Sequence, residues 1–190
     1  MQPAQLRAVL GDIEPFWLQV LLQEQVRPGL RVLDAGCGMG RNLWYPLRIG
    51  VLMYGIDTSA EDIAFVQRQA GALGTPTDHF SVASVAALPF PDRFFDAVLC
   101  CDVLHFAEDE AHFCRMVGEL HRVLRPEGIA YTRLFTHVGL ATSAPQHAPF
   151  QADEALLHEL TQQQRLTLLA PVHTLLSPGV RSQTYWHWRK

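Results

Sequence analysis

The chain has 190 residues, 48% hydrophobic and 18% charged, so it is long enough to bury one core, and a single domain over residues 1–190 is expected. A net charge of −4 without a Lys/Arg cluster argues against a nucleic-acid partner. The sequence has no apolar run of 18 residues and no signal-peptide pattern at its start, which predicts no membrane partner and a cytoplasmic location.

The cysteines argue against a disulfide framework or a metal site. Cys37, Cys100, Cys101 and Cys114 show neither the spacing of metal ligands nor that of a small secreted scaffold. The histidines also share no metal spacing. We therefore expect reduced cysteines and no metal.

In chain order, the predicted elements start with two helices within residues 1–29, the second capped by Asp12. A continuous apolar run from 30 to 34 then predicts a strand buried on both faces. The elements that follow are a helix near 40–49, a strand at 52–57, a helix at 59–73, strands at 79–83 and 94–101, a helix ending at 125–126, a strand at 128–135, a helix near 152–164 and strands near 166–175 and 180–189. This alternation predicts an α/β fold with a doubly wound, Rossmann-like sheet, in which 30–135 is the cofactor-binding core. Residues 136–190 then hold a loop at 136–151 on the substrate side, the last helix and the two closing strands.

A glycine loop joins the first strand to the next helix. Gly36, Gly38 and Gly40 allow a sharp turn and bring bare backbone against a ligand, while the helix start offers unpaired N–H groups to an anion. A dinucleotide fingerprint would need a glycine at 41, where the chain has Arg41. The loop therefore predicts a nucleotide-like ligand other than NAD or FAD.

Asp34 precedes this loop and indicates the ligand's charge. A carboxylate here would sit poorly beside a pyrophosphate but well beside an ammonium or sulfonium group. S-adenosylmethionine carries both cations, and its one carboxylate can lie at the helix start near Arg41. The alternative is an ordinary tight turn between a strand and a helix.

Asp57 follows the second strand, 23 positions after Asp34, close to the spacing of a ribose-binding acid. Its carboxylate can accept both ribose hydroxyl protons. The alternative is a charge at a helix start, beside the capping residues Thr58 and Ser59.

Several ordered motifs resemble those of class I S-adenosylmethionine-dependent methyltransferases. They are Leu33-Asp34-Ala35-Gly36-Cys37-Gly38-Met39-Gly40, Tyr54-Gly55-Ile56-Asp57, Leu88-Pro89-Phe90-Pro91-Asp92, Phe95-Asp96-Ala97-Val98 and Val123-Leu124-Arg125-Pro126-Glu127-Gly128. The resemblance implies a seven-stranded sheet of order 3-2-1-4-5-7-6 with strand 7 antiparallel. Gly40-Arg41-Asn42, Ala148-Pro149-Phe150 and Trp188-Arg189-Lys190 are similar to the tellurite-resistance methyltransferase subgroup, which implies a small-molecule or metalloid acceptor.

The chain departs from this family at the loop that holds adenine. The family commonly has an Asp there, whereas the aligned residue is Ser84, followed by Val85. A serine hydroxyl can accept one hydrogen bond and the Val85 N–H can meet the ring, but the charge-assisted contact is lost. Ser84 could alternatively be a plain loop residue.

His105 lies just after the fourth strand, where the methyl group would face an acceptor. Its imidazole could act as a general base at neutral pH. Alternatively it only shapes the pocket, since methyl transfer often needs no more than in-line placement of the nucleophile and the sulfonium.

The sequence thus predicts S-adenosylmethionine-dependent methyl transfer to a small-molecule acceptor by in-line SN2 displacement, in a monomer or homodimer. The alternative is a non-catalytic S-adenosylmethionine-binding module or accessory subunit. The predicted cofactor-binding residues are Asp34, Gly36, Cys37, Gly38, Gly40, Arg41, Asn42, Asp57, Thr58, Ser84, Val85 and Cys101, with His105 as the candidate base.

Overall fold

A mixed β-sheet forms the centre of the fold in the computed structural model, which describes residues 2–136, 149–177 and 181–190. Its strands are β1 (Arg31–Ala35), β2 (Leu52–Asp57), β3 (Phe80–Val82), β4 (Phe95–Cys101), β5 (Leu124–Phe135), β6 (Thr167–Leu168), β7 (His173–Ser177) and β8 (Arg181–Arg189). They are ordered β3-β2-β1-β4-β5-β8-β6, and β7 also pairs with β8. Strands β1 to β5 pair in parallel, whereas β8 is antiparallel to its neighbours. Most of the loop predicted at 136–151 lies outside the residues that the structure describes.

This order confirms the predicted sequence 3-2-1-4-5-7-6 with an antiparallel last strand, but the sixth strand is in two pieces. Both β6 and β7 pair with β8, whose other edge is taken by β5. Leu169 N still donates to His187 O of β8, but residues 170–172 leave the ladder, and Pro171 there has no N–H to donate. The single strand predicted near 166–175 is therefore interrupted.

Helices cover both faces of the sheet. They are α1 (Pro3–Leu10), α2 (Pro15–Leu22), α3 (Trp44–Arg48), α4 (Ala60–Ala72), α5 (Glu110–Val123) and α6 (Glu154–Gln163). Helices α2 and α4 bury their apolar faces on one side, and α5 and α6 bury theirs on the other. Parallel strands covered on both faces have continuous apolar sequences, which is why these strands could be predicted. Among the described helices, none has the length and apolarity to cross a membrane.

The start of α2 differs from the prediction. Its N-cap is Glu14, whose Oε2 accepts a hydrogen bond from Trp17 N at 2.8 Å. Asp12 was predicted as the cap, but Pro15 occupies the first helical position, so the residue directly before it caps the helix. The start of α4 agrees better with its pattern, since Ser59 Oγ accepts from Asp62 N. Because β1 pairs in parallel with both β2 and β4, the carboxyl ends of these three strands lie at one edge of the sheet.

Candidate functional site

A cavity of about 550 Å³ opens at the carboxyl ends of β1 to β4, the edge where open α/β sheets bind ligands. Most of the predicted cofactor-binding residues line it: Gly36, Cys37, Gly38, Arg41, Asn42, Asp57, Thr58, Ser84, Val85 and Cys101. Asp34 and Gly40 are not among the described residues that line it. The fold thus gathers into one cavity residues that are widely separated in the sequence.

The glycine loop is held against the end of β2. Gly36 N and Cys37 N both donate to Ile56 O, at 2.8 and 2.9 Å. Gly36 has φ +87°, and a Cβ there would overlap the side chain of Val103. At Gly38, φ is +49° and a Cβ would meet nothing within 4 Å. The first glycine is therefore required by packing, while Gly38 presents bare backbone to the cavity.

Asp57 both orders this loop and faces the cavity. Its Oδ2 accepts from Gly38 N at 2.8 Å and its Oδ1 accepts from Ser59 N at 2.9 Å. Each carboxylate oxygen has a second lone pair, so the group can still accept hydroxyl protons from a ligand. The alternative role as a helix-start charge is also present, because Ser59 begins α4.

Asp34 is a buried carboxyl group behind the glycine loop. It is 1% exposed, and its Oδ2 has no hydrogen-bond partner among the described residues. Burial raises the pKa of Asp34 to about 7, while the charge of Arg41 lowers this pKa and that of Asp57 raises it. The three charged groups are therefore close enough to interact electrostatically. A cationic group in the cavity would favour the ionised form. This unpartnered oxygen fits the ammonium or sulfonium group of S-adenosylmethionine.

The loop after β3 brings Ser84 and Val85 to another wall of the cavity. Ser84 is exposed, and its Oγ accepts from Ala86 N at 3.2 Å within its own loop. Val85 is buried and packs in the same apolar cluster as Met116 of α5. This wall therefore combines apolar surface with few polar groups.

A chain of ion pairs lies beside the cavity; it is buried at Glu14 and Arg133 and partly exposed at Asp102 and Arg41, and the sequence patterns did not predict it. Asp102, which lines the cavity, accepts from Arg41 Nη2 at 3.3 Å, from Arg133 Nε at 2.9 Å and from Arg133 Nη2. Arg133 Nη1 also donates to Glu14 Oε1 at 2.8 Å. Burial alone would lower the pKa of Arg133, but Asp102 raises it on balance, so Arg133 stays charged.

This chain continues into the glycine loop through Asn42. Glu14 N donates to Asn42 Oδ1 at 3.0 Å, and Trp17 Nε1 donates to Asn42 O at 3.2 Å. The sequence held one signal for the network, because Arg133 interrupts an apolar strand and a buried charge needs a partner. Nothing local pointed to Glu14 as that partner.

His105 lies next to the cavity but is not among its described lining residues. It is 2% exposed, and its ring packs against Phe106 and Phe135 with centroids 4.5 and 4.4 Å away. Its Nδ1 accepts from Phe135 N at 3.4 Å. Its role as a general base stays a prediction.

The two cysteines in the cavity wall are not activated as nucleophiles. Burial raises the pKa values of Cys37 and Cys101 above the ordinary range of a thiol, and nearby carboxylates raise them further. Both thiols are therefore protonated at neutral pH. Within the described ranges, no three His, Cys, Asp or Glu side chains are grouped to hold a metal ion.

The chain is similar to proteins of known family. The profile of a family described as "Methyltransferase domain" matches residues 33–132. The chain is 38% identical over 104 residues to a ubiquinone biosynthesis O-methyltransferase of Methylocella silvestris, covering 54% of this chain and 39% of that protein. It is 38% identical over 111 residues to a malonyl-[acyl-carrier protein] O-methyltransferase of Enterobacter lignolyticus, covering 55% and 39%. The chain thus spans about two fifths of the length of these relatives.

The fold is also similar to that of solved structures. TehB from Haemophilus influenzae superposes with a TM-score of 0.71 at 18% identity, over 95% of this chain and 63% of that chain. At this identity the likeness shows the fold alone. The family match itself covers more than half of the sequence and includes the glycine loop and Asp57. The chain therefore belongs to the class I S-adenosylmethionine-dependent methyltransferase family.

Proposed function

We propose that this chain transfers a methyl group from S-adenosylmethionine to a small-molecule acceptor. One observation supports this proposal above the others: three groups that suit this cofactor lie together. The bare backbone of Gly38 and the carboxylate of Asp57 line one cavity, and the unpartnered buried oxygen of Asp34 lies beside it. When bound, S-adenosylmethionine would supply a methyl group that a nucleophile can take from the sulfonium, with S-adenosylhomocysteine as the leaving group.

The charges of the cavity match those of this cofactor. Asp34 would face the cationic part of the methionyl group, and Arg41 would face its carboxylate. Asp57 would accept the ribose hydroxyl protons, while Ser84 and Val85 would lie beside the purine. The Asp102–Arg133–Glu14 ion pairs connect the cavity wall to α2, and their hydrogen bonds to Arg41 and Asn42 would keep these two residues in position.

The acceptor would enter where the cavity wall is apolar and open. Met39 and Phe106 line the cavity and are 58% and 60% exposed, so large apolar side chains stand at its mouth. Two relatives are named O-methyltransferases, one of ubiquinone biosynthesis and one of malonyl-[acyl-carrier protein]. Acceptors with a hydroxyl or carboxyl oxygen on an apolar body are therefore the first to screen.

A non-catalytic S-adenosylmethionine-binding module is the second candidate. It is favoured by one observation: His105, the candidate base, is not part of the described cavity lining. Methyl transfer can proceed by alignment alone, so this observation does not decide the matter. Production of S-adenosylhomocysteine with any acceptor would decide for the enzyme.

The first test is calorimetric titration with S-adenosylmethionine, S-adenosylhomocysteine and NAD, followed by an acceptor screen that detects S-adenosylhomocysteine. We expect micromolar binding of the first two ligands and none of NAD. Asp57→Ala should weaken binding at least about tenfold, since charge-assisted hydrogen bonds contribute about 1.5–3 kcal/mol each. Asp57→Asn, which retains one acceptor oxygen, should be intermediate, and Asp78→Ala, at an exposed acid outside the cavity, should have no effect. Unchanged affinity in Asp57→Ala would refute the ribose assignment, and no binding of either sulfur ligand would refute the proposal.

A further inference from the structure

A histidine on α5, His112, lines the same cavity as the glycine loop. We propose that His112 recognises the cofactor's purine by donating a hydrogen bond from Nε2 to a ring nitrogen. This inference rests on the proposed function, because it assigns one contact of the same ligand. No pattern in the sequence indicates this role for His112.

Helix α5 and the loop after β3 both contribute to the cavity wall, and His112 and Met116 line it from the helix as Ser84 and Val85 do from the loop. Leu88 N donates to Glu119 Oε2 at 2.7 Å, and Val85 and Met116 share one apolar cluster. His112 lies one helical turn before Met116, on the same helix face, and both line the cavity. The space between this helix face and the loop thus has apolar walls, which suit the faces of an aromatic ring.

A hydrogen bond within the helix start assigns the tautomer of His112. Its Nδ1 accepts from Glu108 N at 3.2 Å, so Nδ1 is the unprotonated nitrogen of the neutral imidazole and Nε2 carries the hydrogen. In the part of the chain that the structure describes, Nε2 has no hydrogen-bond partner. The backbone of His112 is fixed as well, because its N–H donates to Asp109 Oδ1 at 2.7 Å. His112 therefore presents a positioned donor.

The donor matches what the purine offers. Adenine has ring nitrogens that accept hydrogen bonds, such as N3 and N7. Ser84 supplies no carboxylate here, and its Oγ already accepts from Ala86 N. The imidazole N–H of His112 on α5 would then supply a side-chain contact that orients the adenine ring between the apolar walls.

The test measures binding of S-adenosylhomocysteine and of its 1-deaza, 3-deaza and 7-deaza analogues by calorimetry. Each analogue replaces one ring nitrogen by C–H and so removes one acceptor. We expect the wild-type protein to bind one of the three about tenfold more weakly than S-adenosylhomocysteine, as loss of one hydrogen bond implies. His112→Phe should bind S-adenosylhomocysteine about tenfold more weakly and should no longer discriminate against that analogue.

His158→Phe on α6 is the matched control, because it makes the same change at an exposed histidine outside the cavity. It should retain wild-type affinity and discrimination. Equal binding of all the analogues by the wild type, or equal discrimination in His112→Phe, would overturn the inference while leaving the proposed function intact. Failure of the wild type to bind S-adenosylhomocysteine at all would overturn both.

Discussion

Arg133 on β5 and Glu14 at the N-cap of α2 form a buried ion pair 2.8 Å long between residues 119 positions apart. Glu14 is 3% exposed, and the same guanidinium also holds Asp102 at the cavity. Glu14 uses its other carboxylate oxygen to cap α2. One side chain of the sheet therefore fixes both an N-terminal helix and a residue of the cavity wall.

The first prediction concerns the stability that depends on this pair. Arg133→Met should lower the free energy of unfolding by about 3–5 kcal/mol, because it leaves the carboxylates of Glu14 and Asp102 without their buried partner. Arg125→Met is the matched control, since Arg125 is 52% exposed and its partner Asp96 keeps a hydrogen bond from Arg31 N at 2.7 Å. That change should cost less than about 1 kcal/mol. Urea unfolding measures both, and equal losses in the two variants would contradict the buried role of Arg133.

The second prediction concerns Gly36. Gly36→Ala should cost about 1–2 kcal/mol for a left-handed backbone and a further 1–3 kcal/mol or so for overlap with Val103. Gly11→Ala should lower stability only by the backbone contribution, because φ is +64° but nothing lies within 4 Å of the new Cβ. The double variant Gly36→Ala/Val103→Ala should recover part of the overlap cost.

Thermal unfolding and affinity for S-adenosylhomocysteine are the readouts for these glycine variants. Gly36→Ala should also bind the ligand at least about tenfold more weakly, as a displaced loop implies. A loss of stability no larger than that of Gly11→Ala would show that the loop can move away from Val103.

The sheet could be predicted because its strands have local signals. The apolar run of β1 and the alternation of Tyr185 and His187 with Trp186 and Trp188 in β8 are both visible in the sequence. In the fold, both tryptophans are fully buried in the core beneath α5 and α6, while His187 stacks on Phe16 on the opposite face. The tryptophans and His187 therefore alternate because successive side chains of β8 point to opposite faces of the sheet, where they meet different partners.

The parts that escaped prediction depend on contacts distant in sequence. Pro15 was a local signal for Glu14 as the cap of α2, but the ion pair of Glu14 with Arg133, which stabilises a buried carboxylate there, had none. The split between β6 and β7 has a local signal in Pro171, but the register that the two pieces keep with β8 has none. At the cavity, the glycine loop and Asp57 were predicted from spacing, but His112 was not, because only the packing of α5 brings it there.

The third prediction separates two roles for His105. As a general base, its loss should lower kcat by about 10²–10⁴-fold and remove the limb of the pH profile that reports its ionisation. As a packing residue between Phe106 and Phe135, its loss should lower stability and leave kcat within severalfold. We expect the second result for His105→Gln, since the ring lies outside the described cavity lining. Steady-state kinetics across pH, beside urea unfolding, would show which loss occurs.

The fourth prediction follows from the buried carboxyl of Asp34. Its pKa is raised from 3.8 to about 7 by burial, so the folded protein holds a proton that the unfolded chain has released. The stability linked to this proton is fully present below pH 4 and is lost as the pH rises through 7, and the loss reaches about 4 kcal/mol at pH 7. Asp34→Asn cannot ionise, so the stability of wild type minus that of the variant should fall over this range. Asp78→Asn, at an exposed acid, is the control and should give a flat difference.

Ligand binding should reverse this dependence on pH. A cationic group near Asp34 favours the carboxylate, so binding of S-adenosylhomocysteine, which retains the ammonium, should release a proton between pH 4 and 7. The affinity of the wild type should therefore increase as the pH rises through this window, and that of Asp34→Asn should not. Calorimetry in buffers of different ionisation enthalpy measures the released proton directly. Binding without proton release at pH 6 would mean that the cation does not lie near Asp34, which would leave the unpartnered Oδ2 without the ligand group that the proposed function assigns to it.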